Sequence, residues 1–487
     1  RECAHLVRFC FSKEVMTTSQ LQDAKTNMIL YDHPIWKGII QLSLPVFFVN
    51  ILKTLHDVVD GVFIGQMPDQ GDVAISTLMQ SAISLTWPVY FIFLSFGMGL
   101  SVAGNALIGQ YVGRNDMVNA KKYSFNVLIL SFLLGSLFTV IVYAFAPVIL
   151  HWMGASPEVH GYAVSYLRIR SFELPFLFLS FGFQAIRQAT GDTKTPVFIS
   201  AFSIVVNIVL TALFVLYYQQ GIVGAAIATL IANIAMTPFI IYYLLFSKGG
   251  IHVKIDFRQT DLDISKHILQ IAIPSSMGQA IQAIGFVILN ASVYTFGEEV
   301  SAAFYIGNRI NSLIMFPVLS VSAIVSIYVA QNIGAGNIPR AKRAFKEGMT
   351  MAILLMTVGM IIIIPFRFFF VNLFTHDVYT IGFAADYTLF LHLGLPLMAI
   401  FQTYLSTFQG SGETKFALIM AVIRLWVIRI PLVFLSMHFT DLGPSGIWYA
   451  ILISNFLMIF VGRFLYSRVK FLPKIKESTP KNKLEMV

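Results

Sequence analysis

Long apolar runs separated by short polar stretches make up most of the chain. They fall at about 38–65, 75–109, 124–150, 161–186, 196–218, 222–246, 267–296, 301–333, 347–373, 380–409, 416–437 and 445–466. A helix needs about 20 apolar residues to cross the hydrocarbon core of a bilayer. Lipid offers no hydrogen-bond partners, so spanning segments of this length must be helical. Several runs exceed 25 residues, and tilt or bending is expected. The pattern predicts an all-α polytopic membrane protein with twelve transmembrane helices.

Composition sharpens this reading. Of the 487 residues 57% are apolar and only 12% charged, about half the charge of a soluble domain. Mean hydropathy is +0.75. A soluble fold could not bury so much apolar surface. The only two cysteines, Cys3 and Cys10, exclude a disulfide scaffold, and 44 phenylalanines exclude disorder. The first methionine that makes a good start is Met16. Residues 1–15 read as upstream sequence foreign to the protein, the plainer alternative being a short cytosolic tail, and no cleavable signal peptide is expected before residue 38.

Basic residues set the orientation. The odd-numbered loops (66–74, 151–160, 219–221, 297–300, 374–379, 438–444) hold no Lys or Arg. The even-numbered loops hold many, among them Arg114, Lys121, Lys122, Lys248, Lys254, Arg258, Arg340, Lys342 and Arg343. The positive-inside rule then places even loops and both termini in the cytoplasm, and the chain in the inner (plasma) membrane. This spread of charge also accounts for the pI near 9.3. A nucleic-acid partner is not expected, because the charge forms no stripe with interleaved aromatics.

The chain repeats itself. Tyr166–Pro175 (YLRIRSFELP) pairs with Tyr387–Pro396 (YTLFLHLGLP), Gly191-Asp-Thr-Lys194 with Gly412-Glu-Thr-Lys415, and Gln110–Gly113 with Gln331–Gly334, each at an offset of 221. An even number of spans per half makes the repeats parallel. Two six-helix bundles related by a pseudo-two-fold along the membrane normal are expected, with the ligand path between them. The divisions are 1–35 N-terminal tail, 36–246 N-lobe, 247–265 linker, 266–468 C-lobe and 469–487 basic tail.

The stretches VVDGVFIGQM (58–67), GQYVGRND (109–116), YLRIR (166–170), GDTKTP (191–196), NIVL (207–210), GIVGAAIAT (221–229), YIGNRI (305–310), QNIGAGN (331–337) and RLWVIRIPL (424–432) resemble the multidrug and toxic compound extrusion (MATE) family, prokaryotic type. Together they run from residue 36 to 468. The resemblance implies an exporter that exchanges H⁺ or Na⁺ for amphiphilic or cationic drugs, working as a monomer in the bilayer and with no other cofactor. No HExxH, Walker A or acid-rich polyprenyl motif is present, so an enzyme is not expected. An exporter without an ATPase must draw on an ion gradient. The alternative within the same superfamily is a flippase for a lipid-linked precursor.

Charges inside spans are costly and mark candidate sites. Asn50, Lys53, Asp57 and Asp60 fall within about an 80° sector of the first helix. By the resemblance, Asp60 stands at the family's first-helix aspartate and carries the coupling cation; the plainer alternative is a structural carboxylate. Asp57, one turn away, either joins that site or pairs with Lys53. Asn207, Thr211 and Thr229 map onto the family's partners in spans five and six, with Thr211 where an aspartate is expected. Asn50, Lys53, Gln282 and Arg309 are expected in the substrate cavity. Arg309, Arg424 and Arg429 make the C-lobe cationic. They serve either an anionic substrate group or, more plainly, helix-end carbonyls and the interface. Arg168, Arg170 and Glu173 read as a local network. No metal site is expected.

Overall fold

The computed structural model describes residues 26, 28–32, 34–65, 75–246, 250–253 and 260–475. The expectations for residues 1–15 and both chain ends, for Lys248, Lys254 and Arg258 in the linker, and for the Asp57 and Asp60 side chains lie outside the described residues. Among the described residues the fold is helical, with no strand. It forms two lobes of six spans.

Among the described residues ten helices are long and apolar enough to cross a membrane, from Ile35–Gly65 to Ser445–Arg468. An eleventh crossing is Val378–Leu393 with Leu395–Gly410, bent by 48° at Gly394. Its repeat partner, Pro157–Ser171 with Leu174–Ala189, breaks at Phe172 and Glu173. This fourth span carries Arg168, Arg170, Glu173 and Arg187, which lowers its hydropathy below that of the others. Both breaks are followed by a proline in the first turn of the next half-helix, Pro175 and Pro396, where the missing N–H costs nothing. The ninth span differs from the expected 347–373. Helix Ile338–Ile363 ends before Pro365, and a separate short helix, Arg367–Asn372, follows. Ile364 keeps helical φ and ψ, but Pro365 has no N–H with which to continue the hydrogen-bond ladder, which explains the early stop. The first helix, by contrast, runs unbroken through Pro45.

The repeat is visible in the turns. Asn115 and Gly336 are offset by 221, and both have positive φ (61° and 75°). The next residues, Asp116 and Asn337, cap the following helices by accepting from Asn119 N (3.1 Å) and Arg340 N (3.2 Å). Gly191 and Gly412 share a φ of 77°. Only glycine adopts that conformation at no cost.

The lobes are joined at the end that bears the basic loops. The second span, Ile75–Gly113, meets the eighth, Glu298–Gly334, reciprocally. A Cβ on Gly113 would overlap the Gln331 carbonyl, and one on Gly334 would overlap the Gln110 carbonyl. The two glutamines complete the join: Gln331 Nε2 donates to Ala189 O (2.7 Å) and Gln110 Nε2 to Ser411 O (3.4 Å). Higher up, Gly99 rests on Ala272 and Ser276 of the seventh span, Leu262–Tyr294. Small residues let the backbones approach this closely.

Candidate functional site

The fifth span is helix Lys194–Thr211 continued by a π turn, Ala212–Tyr217; the sixth is Gly221–Leu245. Asn207 and Thr211 lie one turn apart on the fifth span, and Thr229 faces them from the sixth. Asn207 Nδ2 donates to Thr229 Oγ1 (3.0 Å), and Thr211 Oγ1 donates to Asn207 Oδ1 (3.2 Å). Thr229 Oγ1 in turn donates to Ala225 O (3.0 Å). All three residues are buried. The sequence reading thus placed three residues that the fold brings together. Their oxygens are neutral hard donors, suited to a hard cation only if a nearby carboxylate supplies the charge.

The first span packs on the fifth and on the eighth. Asn50 Nδ2 lies 3.4 Å from Ser320 Oγ on the eighth span, so it faces the opposite lobe. Lys53 is exposed. The Asp57 and Asp60 side chains are not among the described residues.

A second buried network in the N-lobe centres on Glu173, which is fully buried. Arg170 Nη2 pairs with its Oε1 at 2.9 Å, Asn233 Nδ2 donates to Oε2 (2.8 Å), and the Tyr90 hydroxyl also donates to Oε1. Arg168 instead donates to Tyr143 O (3.1 Å). Removing one member of a buried pair strands the other charge. Glu173→Ala is therefore expected to cost about 3–5 kcal/mol of stability. Thermal unfolding in detergent measures this, and an unchanged midpoint would show that Arg170 finds another partner.

The C-lobe holds a cavity of about 160 Å³. Gln282, Asn308, Asn311, Arg424, Arg429 and Asn455 supply its polar wall. Arg424 and Arg429 come from a π turn, Ile423–Arg429, inside the eleventh span. Its ring closes from Ile430 N–H to Leu425 O. Residues five apart stand about 140° apart on an α-helix, but a π turn stacks them on one face. Arg424 Nη2 donates to Gln282 Oε1 (2.8 Å) and Nη1 reaches Met398 Sδ (3.0 Å); its guanidinium covers the Phe401 ring at 4.0 Å. Arg429 donates to Ser454 Oγ (2.9 Å) and Asn455 Oδ1 (2.8 Å). Neither arginine binds helix-end carbonyls or reaches the interface. Arg309 is half-buried, donates to the Tyr305 hydroxyl (3.0 Å) and does not line this cavity. Among the residues expected in one substrate cavity, Gln282 lines the C-lobe cavity, while Asn50 and Lys53 lie on the first span.

The sequence reading did not single out Asn308, Asn311, Asn455 or Tyr387, all of which line the cavity. A signal existed for three of them: an isolated amide inside an apolar span is as costly as the charges that were noticed.

Two repeated six-span lobes, joined at one membrane face and carrying buried polar clusters, define a membrane transporter and not an enzyme. The chain belongs to the MatE family, whose model matches residues 45–213 and 274–435, one stretch in each lobe. It is similar to the probable multidrug resistance protein YoeA of Bacillus subtilis (strain 168), 26% identical over 421 residues that cover 85% of this chain and 89% of the relative. The multidrug export protein MepA of Staphylococcus saprophyticus is 24% identical over 424 residues, covering 86% and 91%. Among solved structures, the outward-facing conformation of a multidrug resistance MATE family transporter of the MOP superfamily superposes with a TM-score of 0.82 at 26% identity, covering 90% of this chain and 96% of that one. A MOP superfamily transporter from Pyrococcus furiosus Vc1 (DSM3638), whose binding pocket has reverse polarity, superposes with a TM-score of 0.84 at 26% identity, covering 92% and 97%.

Proposed function

We propose that the protein exports drugs or other amphiphilic compounds from the cell, in exchange for H⁺ or Na⁺, by alternating access of its two lobes. The observation that carries this reading is the reciprocal contact of Gly113 with Gln331 and of Gly334 with Gln110. It joins two repeats of one bundle at one membrane face, as a two-state rocking mechanism requires. The positive-inside rule makes that face cytoplasmic, so the described conformation is closed toward the cytoplasm. The names of the relatives support the substrate class. The coupling ion is assigned to Asp60, with Asn207, Thr211 and Thr229 as its neutral oxygen partners and Asp57 beside it. The protein acts as a monomer in the plasma membrane, with both termini inside.

The test is dye efflux by everted vesicles after a pH or Na⁺ jump. Accumulation driven by either jump, and abolished by collapsing that gradient, is the expected result. Dye movement that ignores both gradients would refute antiport. The flippase alternative keeps one specific observation in its favour: the paired arginines of the C-lobe cavity suit a phosphorylated headgroup. Translocation of a fluorescent phospholipid analogue, without dye efflux, would choose it.

A further inference from the structure

The two lobes repeat one another, yet they differ at one equivalent place. In the N-lobe that place is filled by the Glu173 network, and only a pocket of about 30 Å³ remains between Tyr90, Tyr166 and Arg170. The offset of 221 carries Tyr90 to Asn311, Tyr166 to Tyr387, Arg170 to Leu391 and Glu173 to Gly394. All four C-lobe positions line the 160 Å³ cavity. The C-lobe thus has a glycine where the N-lobe has the Glu173 carboxylate, and a cavity at that place.

The space has the opposite electrical character. Arg424 and Arg429 are only 6% and 7% exposed. Neither has a carboxylate partner, and the described lining residues include no Asp or Glu. Arg424 Nε is a buried donor without a hydrogen-bond partner. Two buried guanidinium groups without a counter-ion are expensive. A bound anion would relieve that cost, and guanidinium forks match carboxylate and phosphate oxygens. The cavity is several times the space that one water needs.

We infer that the C-lobe cavity is an anion site, which takes the carboxylate or phosphate of an amphiphile in the place that Glu173 occupies in the N-lobe. As a substrate site it rests on the exporter reading; as an anion site it does not. The amphiphile is then anionic or zwitterionic, with its charged group on Arg424 and Arg429.

The test uses hexyl phosphate and hexyltrimethylammonium as probes, added at matched ionic strength to the whole protein in dodecyl maltoside. The Trp448 ring packs behind Tyr387 of the cavity wall, ring centroids 4.3 Å apart, so its fluorescence reports occupancy through that ring, with Trp448→Phe as baseline. The phosphate is expected to bind saturably and the ammonium not. Arg429→Gln is expected to weaken the phosphate by about tenfold or more. Should that variant fail to fold, Gly394→Glu decides. It keeps both arginines and restores the N-lobe carboxylate at a backbone φ of −78°, which any residue adopts. It should abolish phosphate binding and raise the thermal midpoint without added anion, as the phosphate does for the wild type. Equal affinity for the ammonium probe, no binding of the phosphate, or wild-type phosphate affinity in a folded Gly394→Glu protein would each overturn the site. Adding phosphatidylglycerol to the micelles distinguishes the source. Competition assigns the anion to a lipid headgroup and its absence to a soluble amphiphile, and both support the site. Organic-cation efflux by wild-type vesicles is measured separately, so failure of the anion site and failure of the exporter reading give different results.

Discussion

Asp60→Asn is expected to abolish ion-driven export while the protein still folds and inserts. The amide matches the carboxylate in shape but cannot carry a proton or a negative charge. Apart from Asp57, one turn away on the first span, nothing else in the proposed site can take over that role. Asn207, Thr211 and Thr229 are already bonded to one another and cannot change charge between pH 5 and pH 8. Thr211 stands where a second carboxylate is expected, so the site depends on the first span for its charge. Protonation or Na⁺ binding removes a negative charge that otherwise attracts a cationic drug. Affinity for a fluorescent cation should therefore fall from about pH 8 to about pH 5, and on adding Na⁺, by roughly 5–150-fold, equivalent to about 1–3 kcal/mol of coupling. Equilibrium binding and vesicle efflux check the two halves of the expectation. The variant should bind the cation weakly at both pH values. Undiminished efflux by Asp60→Asn would remove it from the mechanism.

Gly334→Val should force the lobes apart at the basic-loop end. Its Cβ would meet the backbone carbonyl of Gln110, which cannot rotate away as a side chain would. Overpacking of this kind costs about 1–3 kcal/mol, or roughly 5–150-fold in the balance between joined and parted lobes. Transport should drop by a comparable factor, because the cycle must pass through the joined state. A cysteine at Ser411, which lies behind Gln110, reports the opening once Cys3 and Cys10 have been replaced. Ser411 is buried in the joined state. A membrane-impermeant maleimide added from the cytoplasmic side should label it slowly in the parent and rapidly in Gly334→Val. Gly113→Val should behave alike, since its contact is the reciprocal one. Unchanged labelling together with full transport would show that this contact does not gate the cycle.

Architecture was largely legible in the residues. Apolar run length, the distribution of Lys and Arg and the 221-residue offset each follow from a strong physical constraint: lipid solvates no backbone polar group, and duplicated helices keep their spacing. The structure extends that offset to turns the sequence reading had not compared, down to the caps at Asp116 and Asn337. The Asn207, Thr211 and Thr229 grouping was legible only through resemblance. Nothing in their spacing required Asn207 to meet a residue 22 positions away. The end of the ninth span at Ile363 was missed because the run stays apolar through Pro365, and hydropathy does not register a helix break.

What the sequence determined by itself was therefore the helical class, the two repeated halves and the residues that could not face lipid. What only the tertiary structure decided was what those residues face. Arg424 and Arg429 would stand about 140° apart on an α-helix; a π turn sets them on one face, and packing against Gln282 and Asn455 directs them into one cavity. Likewise, Glu173 and Gly394 occupy equivalent positions in the chain, yet one closes its lobe and the other leaves a space. The reason is physical. Hydrophobicity and helical period are properties of a segment alone, whereas a buried charge finds its partner among side chains brought from other spans, and a local change in helical pitch alters which ones it meets.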